Sequence, residues 1–312
     1  MTSATVHLVV TCSNRKTTAV PADLRIATVP GKSVEDRFAT WTGRLERTAC
    51  SSVAAVDLYS GEHWQVARSL PATAQGAGYA VDLWVCSAGY GLVPADALLK
   101  PYSATLARGH ADSVAQTTDE ARAWWRMQST WSGPVPGRPR SLTELAAREP
   151  DSVIIAALSA TYLSSCADDV LAAAGKLVTP ENLTLISAGT SPRGVFADVI
   201  CPVDGDLQRP LGGTLMSLNV RAVGHILDSL KAELPTRTAA RGVIAQLSAA
   251  TAPVIRPKRE QASDEEIRGL IAERLRAAPA SCTSMLRQLR SEGRACEQSR
   301  FARLYAEAKG GN

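Results

Sequence analysis

The chain has 312 residues, 45% hydrophobic and 21% charged, with 34 Lys+Arg against 30 Asp+Glu. That is enough chain to bury a core as one large domain or two, and it excludes collagenous, coiled-coil and disordered classes. The longest apolar stretch, residues 153–163, is broken by Ser and Thr and is far short of the ~18–20 residues of a membrane span. The first ten residues show no basic region, apolar core or cleavage site, so no secretion signal is read. Seven cysteines with no repeated spacing suggest reduced thiols in a cytoplasmic protein rather than a disulfide framework.

Residues 6–12 (VHLVVTC) are a short β-branched apolar run, the pattern of a buried strand, ending in the polar turn Ser13-Asn14-Arg15-Lys16. Residues 31–55 place Phe38, Trp41 and Leu45 at helical spacing, and residues 57–60 lead into a helix over 61–70. A second strand is predicted over 79–86, followed by the Gly-rich turn Ser87-Ala88-Gly89-Tyr90-Gly91. Trp124, Trp125, Trp131 and the Pro/Gly/Arg stretch 133–140 form either a lid that stacks on bases or the cover of a core edge. Two more strands are predicted over 152–157 and 183–187, with a helix over 160–176 between them. Residues 210–219 are a Gly-rich turn entering a helix to residue 230, either an anion-holding helix start or a plain one. Strands alternating with helices predict an α/β fold over residues 1–250, with a mainly parallel sheet flanked by helices. Ligands of such sheets bind beyond the carboxyl ends of the strands, and three of these strands end in small polar turns.

Charge divides the chain unevenly. Residues 255–312 hold 12 Lys+Arg and 8 Asp+Glu, while the first 254 hold 22 of each. A basic linker at 251–262 precedes residues 263–312, where capping signals predict three short helices, a small helix-turn-helix-like module broken at Pro279. Arg287, Arg290, Arg294, Arg300 and Arg303 are its candidate nucleic-acid contacts. The competing readings are a solvated helical face for the charge excess and, for the module, a terminal bundle that docks on the main domain or on a second subunit.

Phosphate-loop, dinucleotide, zinc-peptidase, paired C-x-x-C and nucleophile-elbow motifs are absent, so no metal or cofactor is expected. What remains is polar chemistry at strand ends. Cys12 beside Lys16 is either a nucleophile or an inert thiol. Asp57 is either a general base or a helix cap, and Cys86 and Ser87 carry the same ambiguity.

Asp57-Leu58-Tyr59-Ser60-Gly61, the run Trp84 to Pro94 containing Ser87-Ala88-Gly89-Tyr90-Gly91, and Lys100-Pro101-Tyr102-Ser103 together resemble the YaaA-like peroxide-stress superfamily. The resemblance covers about residues 5–110, with the turn after Cys12 at the family's first polar loop, and continues weakly over 150–190. It departs from the family by an insertion between Pro30 and Asp57. The family implies DNA binding and protection from oxidative damage. One branch is linked to 7-deazaguanine bases in DNA, where a nitrile is hydrated to an amide. The expectation is therefore a nucleobase-modifying enzyme of hydratase or hydrolase type, acting on DNA or tRNA alongside proteins of a modification or defence gene cluster. Cys12, Asp57 and Ser87 are its candidate catalytic residues. Ser13, Tyr59, Ser60, Gly61, Gly89, Tyr90, Gly91, Pro101 and Tyr102 are the candidate substrate contacts. The alternatives are a non-catalytic DNA-binding protein of stress or phage defence and, more weakly, an N-glycosidase or deoxyribosyl transferase.

Overall fold

The computed structural model describes residues 5–191, 193–231, 233–252, 260–277 and 280–310. Most of the expected linker (253–259) and Pro279 lie outside the described residues. The chain forms two compact units, Met1–Ala252 and Pro253–Asn312.

The first unit is built on six strands: β1 (Val6–Thr11), β2 (Val81–Ser87), β3 (Gly91–Pro94), β4 (Val153–Ala157), β5 (Leu183–Ile186) and β6 (Ile200–Cys201). Their order in the sheet is β3-β2-β1-β4-β5-β6, and every pairing is parallel except β2 with β3. All residues of β1, β4 and β5 are buried, as expected of parallel strands covered on both faces. The four strands expected from sequence are present. The short β3 and β6 are additions, since two to four residues are too few to show a period.

The segment 87–91 is the tight hairpin that joins β2 to β3. Ser87 pairs with Gly91, whose φ of +74° is a backbone state that favours glycine.

Helices α1 (Val34–Arg47), α3 (Thr118–Thr130), α4 (Leu142–Arg148), α5 (Ala160–Ser165) and α6 (Ala167–Ala174) pack together on one face of the sheet. Helices α2 (Glu62–Gly76), α7 (Leu218–Leu230) and α8 (Arg237–Ala249) pack on the other. α1 is shorter than expected, and α2 runs on through Pro71 because its buried stripe of Trp64, Ala67, Leu70 and Ala74 extends past that residue. The helix expected over 160–176 is interrupted at Cys166.

The second unit holds α9 (Asp264–Ala277), α10 (Cys282–Ser291) and α11 (Gln298–Gly310) around Ile267, Ile271, Met285, Leu286, Leu289, Phe301 and Leu304. The first two helices begin at the capping residues Ser263 and Ser281, and the third follows Gly293. Ser263 accepts from the Glu266 backbone N–H while the Glu266 carboxylate accepts from that of Ser263. Glu260–Gln261 pairs in parallel with Arg294–Ala295, which sequence did not predict. Among the described residues no helix is long and apolar enough to cross a membrane.

Candidate active site

The order of the sheet locates a crevice. From β1 the chain moves to β2 on one side, then returns to β4 on the other, so the loops leaving β1 and β4 diverge at their carboxyl ends. β1 and β4 are hydrogen-bonded neighbours with Val10 opposite Ala157. Cys12 and Ser159 therefore leave the sheet side by side. Ser159 caps α5 by accepting from the Tyr162 backbone N–H, and this turn directs the Tyr162 hydroxyl to 3.0 Å from the Cys12 sulfur.

A second phenol reaches the same sulfur. The Tyr102 hydroxyl donates to Cys12 Sγ at 3.5 Å, the long end of a sulfur hydrogen bond. Tyr102 also meets Ser87 Oγ at 2.7 Å and the Tyr59 hydroxyl at 3.1 Å. When its single proton goes to sulfur, Ser87 and Tyr59 are the donors to Tyr102. Ser87 in turn accepts from the Tyr90 backbone N–H at 3.0 Å. The hydroxyl protons thus run toward Cys12, and the arrangement suits a sulfur that accepts from both Tyr102 and Tyr162. Burial pushes the Tyr59, Tyr102 and Tyr162 phenols well above the usual tyrosine range, and Cys12 adds to the rise. These phenols remain donors at neutral pH.

Cys12 is half-buried. Its loop is held to the segment before α2: Ser13 Oγ donates to Ser60 O at 2.8 Å, and the Ser60 N–H donates to Arg15 O at 3.0 Å. Lys16 Nζ stands 4.5 Å from the centre of the Tyr102 ring and 5.1 Å from that of Tyr59. Burial lowers the Lys16 pKa, against the pull of Cys12 and Asp112. On the first turn of α2, His63 Nε2–H donates to Thr11 O at 2.9 Å and ties that helix to the end of β1. Burial lowers its pKa and favours this neutral form.

The residues named from the sequence fare unequally. Cys12, Tyr59, Ser87 and Tyr102 come together, and Ser13, Ser60 and Gly61 lie half-buried beside them. Asp57 does not join them. Its carboxylate faces solvent and pairs with Arg68 at 3.1 Å, which corrects its expected role as a general base. Ser87 is fully buried, so it positions Tyr102 instead of meeting a substrate. Tyr90, Gly89, Gly91 and Pro101 are likewise buried. The Tyr90 hydroxyl accepts from Lys100 N and donates to Lys100 O, which makes it a brace of the hairpin.

Gly89 serves a close approach, since a Cβ there would lie 2.6 Å from the Tyr102 ring. The tryptophans form a core edge: Trp124 Nε1 donates to Ala88 O and Trp41 Nε1 to Gly89 O. In the 210–219 turn two donors meet a carboxylate of the same chain. Thr214 N and Ser217 Oγ donate to Glu62 of this chain, whose pKa falls to about 2 through those bonds. Tyr162 and His63 were missed. For Tyr162 the available signal was its position just past a strand end, three residues after a capping serine.

The basic residues of the second unit are mostly engaged. Arg294 pairs with Glu266, Arg300 and Arg303 pair with Asp264, and Arg290 donates to Cys296 O. These bonds correct the picture of five arginines freely offered to phosphate. Arg287 is exposed and has no ion-pair partner among the described residues. Residues 260–310 hold nine Lys+Arg against eight Asp+Glu, so most of the excess belongs to Arg256, Lys258 and Arg259, outside the described residues.

His7, Asp82 and Glu149 form a cluster of metal-ligand composition at the other end of the sheet. The Trp84 indole N–H donates to His7 Nδ1 at 3.2 Å, so Nε2–H donates to Glu149 at 3.1 Å. That tautomer leaves the imidazole no free lone pair for an ion.

No family model, curated protein or solved structure matches the chain. The chemistry of the site rests on its own geometry.

Proposed function

We propose that the protein is a thiol-dependent nucleobase-modifying enzyme with Cys12 as nucleophile. The carrying observation is the convergence of the Tyr102 and Tyr162 hydroxyls on one half-buried sulfur at the sheet's switch point. Such a sulfur is suited to adding to an electrophilic carbon, and the phenols beside it to moving a proton.

Hydration of a nitrile, as on a 7-cyano-7-deazaguanine base in DNA, fits these parts and the YaaA-like resemblance of residues 5–110. The Cys12 sulfur forms an S–C bond to the nitrile carbon as one C–N π bond opens, Tyr162 passes its proton to nitrogen, and the thiol proton of Cys12 replaces it on Tyr162. Water then adds to the thioimidate carbon, and the S–C bond breaks to return the thiol and release the amide. The sum is nitrile plus water to amide.

The second unit would hold the nucleic acid in a helix-turn-helix manner, through Arg287 and the basic residues at 256–259. Seven unpaired cysteines suit a cytoplasmic protein. The pairing of Asp57 with Arg68 gives no support to a glycosidase or transferase, which needs a free carboxylate.

The test is nucleoside mass spectrometry on DNA and tRNA carrying the cyano base, treated with the full chain or with Cys12→Ala. The expected result is a gain of one water mass with the native protein only. An unchanged base, with DNA bound tightly in a salt-dependent way, would favour the non-catalytic binding protein.

A further inference from the structure

Resting on the reading of Cys12 as a nucleophile, we propose that Lys16 is a positioning residue that sets the charge felt by the Cys12 sulfur. Two sets of contacts support this. The first is mechanical. Lys16 Nζ donates to Ser13 O at 2.9 Å and Asn14 O at 3.2 Å, the two carbonyls that follow Cys12, and so closes the turn carrying the thiol. Its backbone bridges that of Tyr59, and the adjacent Thr17 N–H donates to Leu58 O at 2.9 Å.

The second is electrostatic. Among the described residues no carboxylate lies within ion-pair distance of Lys16, and the acidic groups that act on it are Cys12 itself and the more distant Asp112. The ammonium lies instead against the ring faces of Tyr102 and Tyr59. A cation on the face of a phenol draws density from the ring and strengthens its O–H as a donor. Tyr102 spends its one proton on Cys12, and Tyr59 donates into Tyr102, so the charge of Lys16 is relayed toward the sulfur through groups that point there.

A staple acting only through its length and a staple acting through its charge make different predictions. Alkylation separates them: Cys12 Sγ forms a bond to the reagent's methylene carbon, the C–I bond breaks, iodide leaves, and the thiol proton goes to solvent. The full chain is treated with neutral iodoacetamide or anionic iodoacetate, and modification of Cys12 and of half-buried Cys50 is followed by peptide mass spectrometry.

Relative to Cys50, Cys12 in the native protein should favour iodoacetate over iodoacetamide, and raising salt should shrink that preference. Lys16→Met should slow Cys12 alkylation by about tenfold and abolish the preference, while Lys16→Arg keeps most of it. Equal slowing with both reagents in Lys16→Met, or no slowing, would overturn the charge-setting role. If Lys16→Met does not fold, the salt-sensitive preference of the native protein decides, and its absence overturns the proposal. A Cys12 no more reactive than Cys50 toward either reagent would instead remove Cys12 as the nucleophile, a separate failure.

Discussion

The Cys12 sulfur and the Tyr162 hydroxyl stand 3.0 Å apart across 150 positions of sequence. They meet because β1 and β4 are adjacent parallel strands that end level with one another. Removing the hydroxyl in Tyr162→Phe keeps the ring in place and takes one donor from the sulfur. The expected result is Cys12 alkylation slowed by roughly three- to tenfold and stability lowered by ~1 kcal/mol. Peptide mass spectrometry and urea unfolding read the two effects separately. Unchanged reactivity would show that Tyr162 fills space and nothing more.

Gly89 makes the opposite kind of contribution, by lacking an atom. Gly89→Ala puts a methyl group 2.6 Å from the fully buried Tyr102 ring. Overpacking of this kind should cost about 1–3 kcal/mol and shift the Tyr102 hydroxyl away from Cys12. Denaturant titration should therefore fall together with Cys12 reactivity. A stable variant with native reactivity would mean that the ring relocates without cost.

His7 gives the fold a defined sensitivity to acid. Burial is the main cause holding its pKa below the usual 6.5, with Glu149 and Asp82 opposing it. The unfolded chain therefore takes up this proton at a higher pH than the folded one. The associated stability is complete above pH 6.5 and is lost as pH falls from there through the lower folded value. Thermal midpoints measured from pH 8 to pH 5 should fall less steeply for His7→Gln than for the native chain. Fluorescence of Trp84, whose indole bonds His7 Nδ1, should change over the same range. Parallel midpoint curves for the two proteins would contradict this account.

In the second unit, the arginines separate into those that hold the fold and one that does not. Arg300→Ala removes a partner of Asp264 and should lower the unit's stability before it affects any ligand. Arg287→Ala should leave stability within ~0.5 kcal/mol, weaken DNA binding, and reduce the slope of log affinity against log salt by about one. Binding measured at several salt concentrations tests both variants. An unchanged slope in Arg287→Ala would mean that this exposed face does not meet phosphate.

Much of the architecture is legible in local pattern. The β-branched runs at 6–12 and 152–157 mark buried parallel strands because both of their faces are covered, so no polar alternation interrupts them. The capping residues Ser263 and Ser281 mark helix starts because they satisfy backbone N–H groups within three residues. Cys12 is legible as a candidate for the same reason, as a polar group at the end of an apolar strand.

Partnerships between distant segments are not carried by local pattern. Asp57 and Ser87 look alike from sequence, as polar residues at turns. Folding turns Asp57 outward to Arg68 and seals Ser87 beneath Tyr102. The arginines of the second unit read as free charges until α9 and α11 pack together and bring Asp264 to Arg300. Sequence alone determined the α/β class, the central strands and the thiol at a strand end, because each follows from propensity and periodicity over a few residues. Only the tertiary structure decided which hydroxyls reach that thiol and which charges are already spent, because both depend on which strands are neighbours in the sheet and which helices pack together.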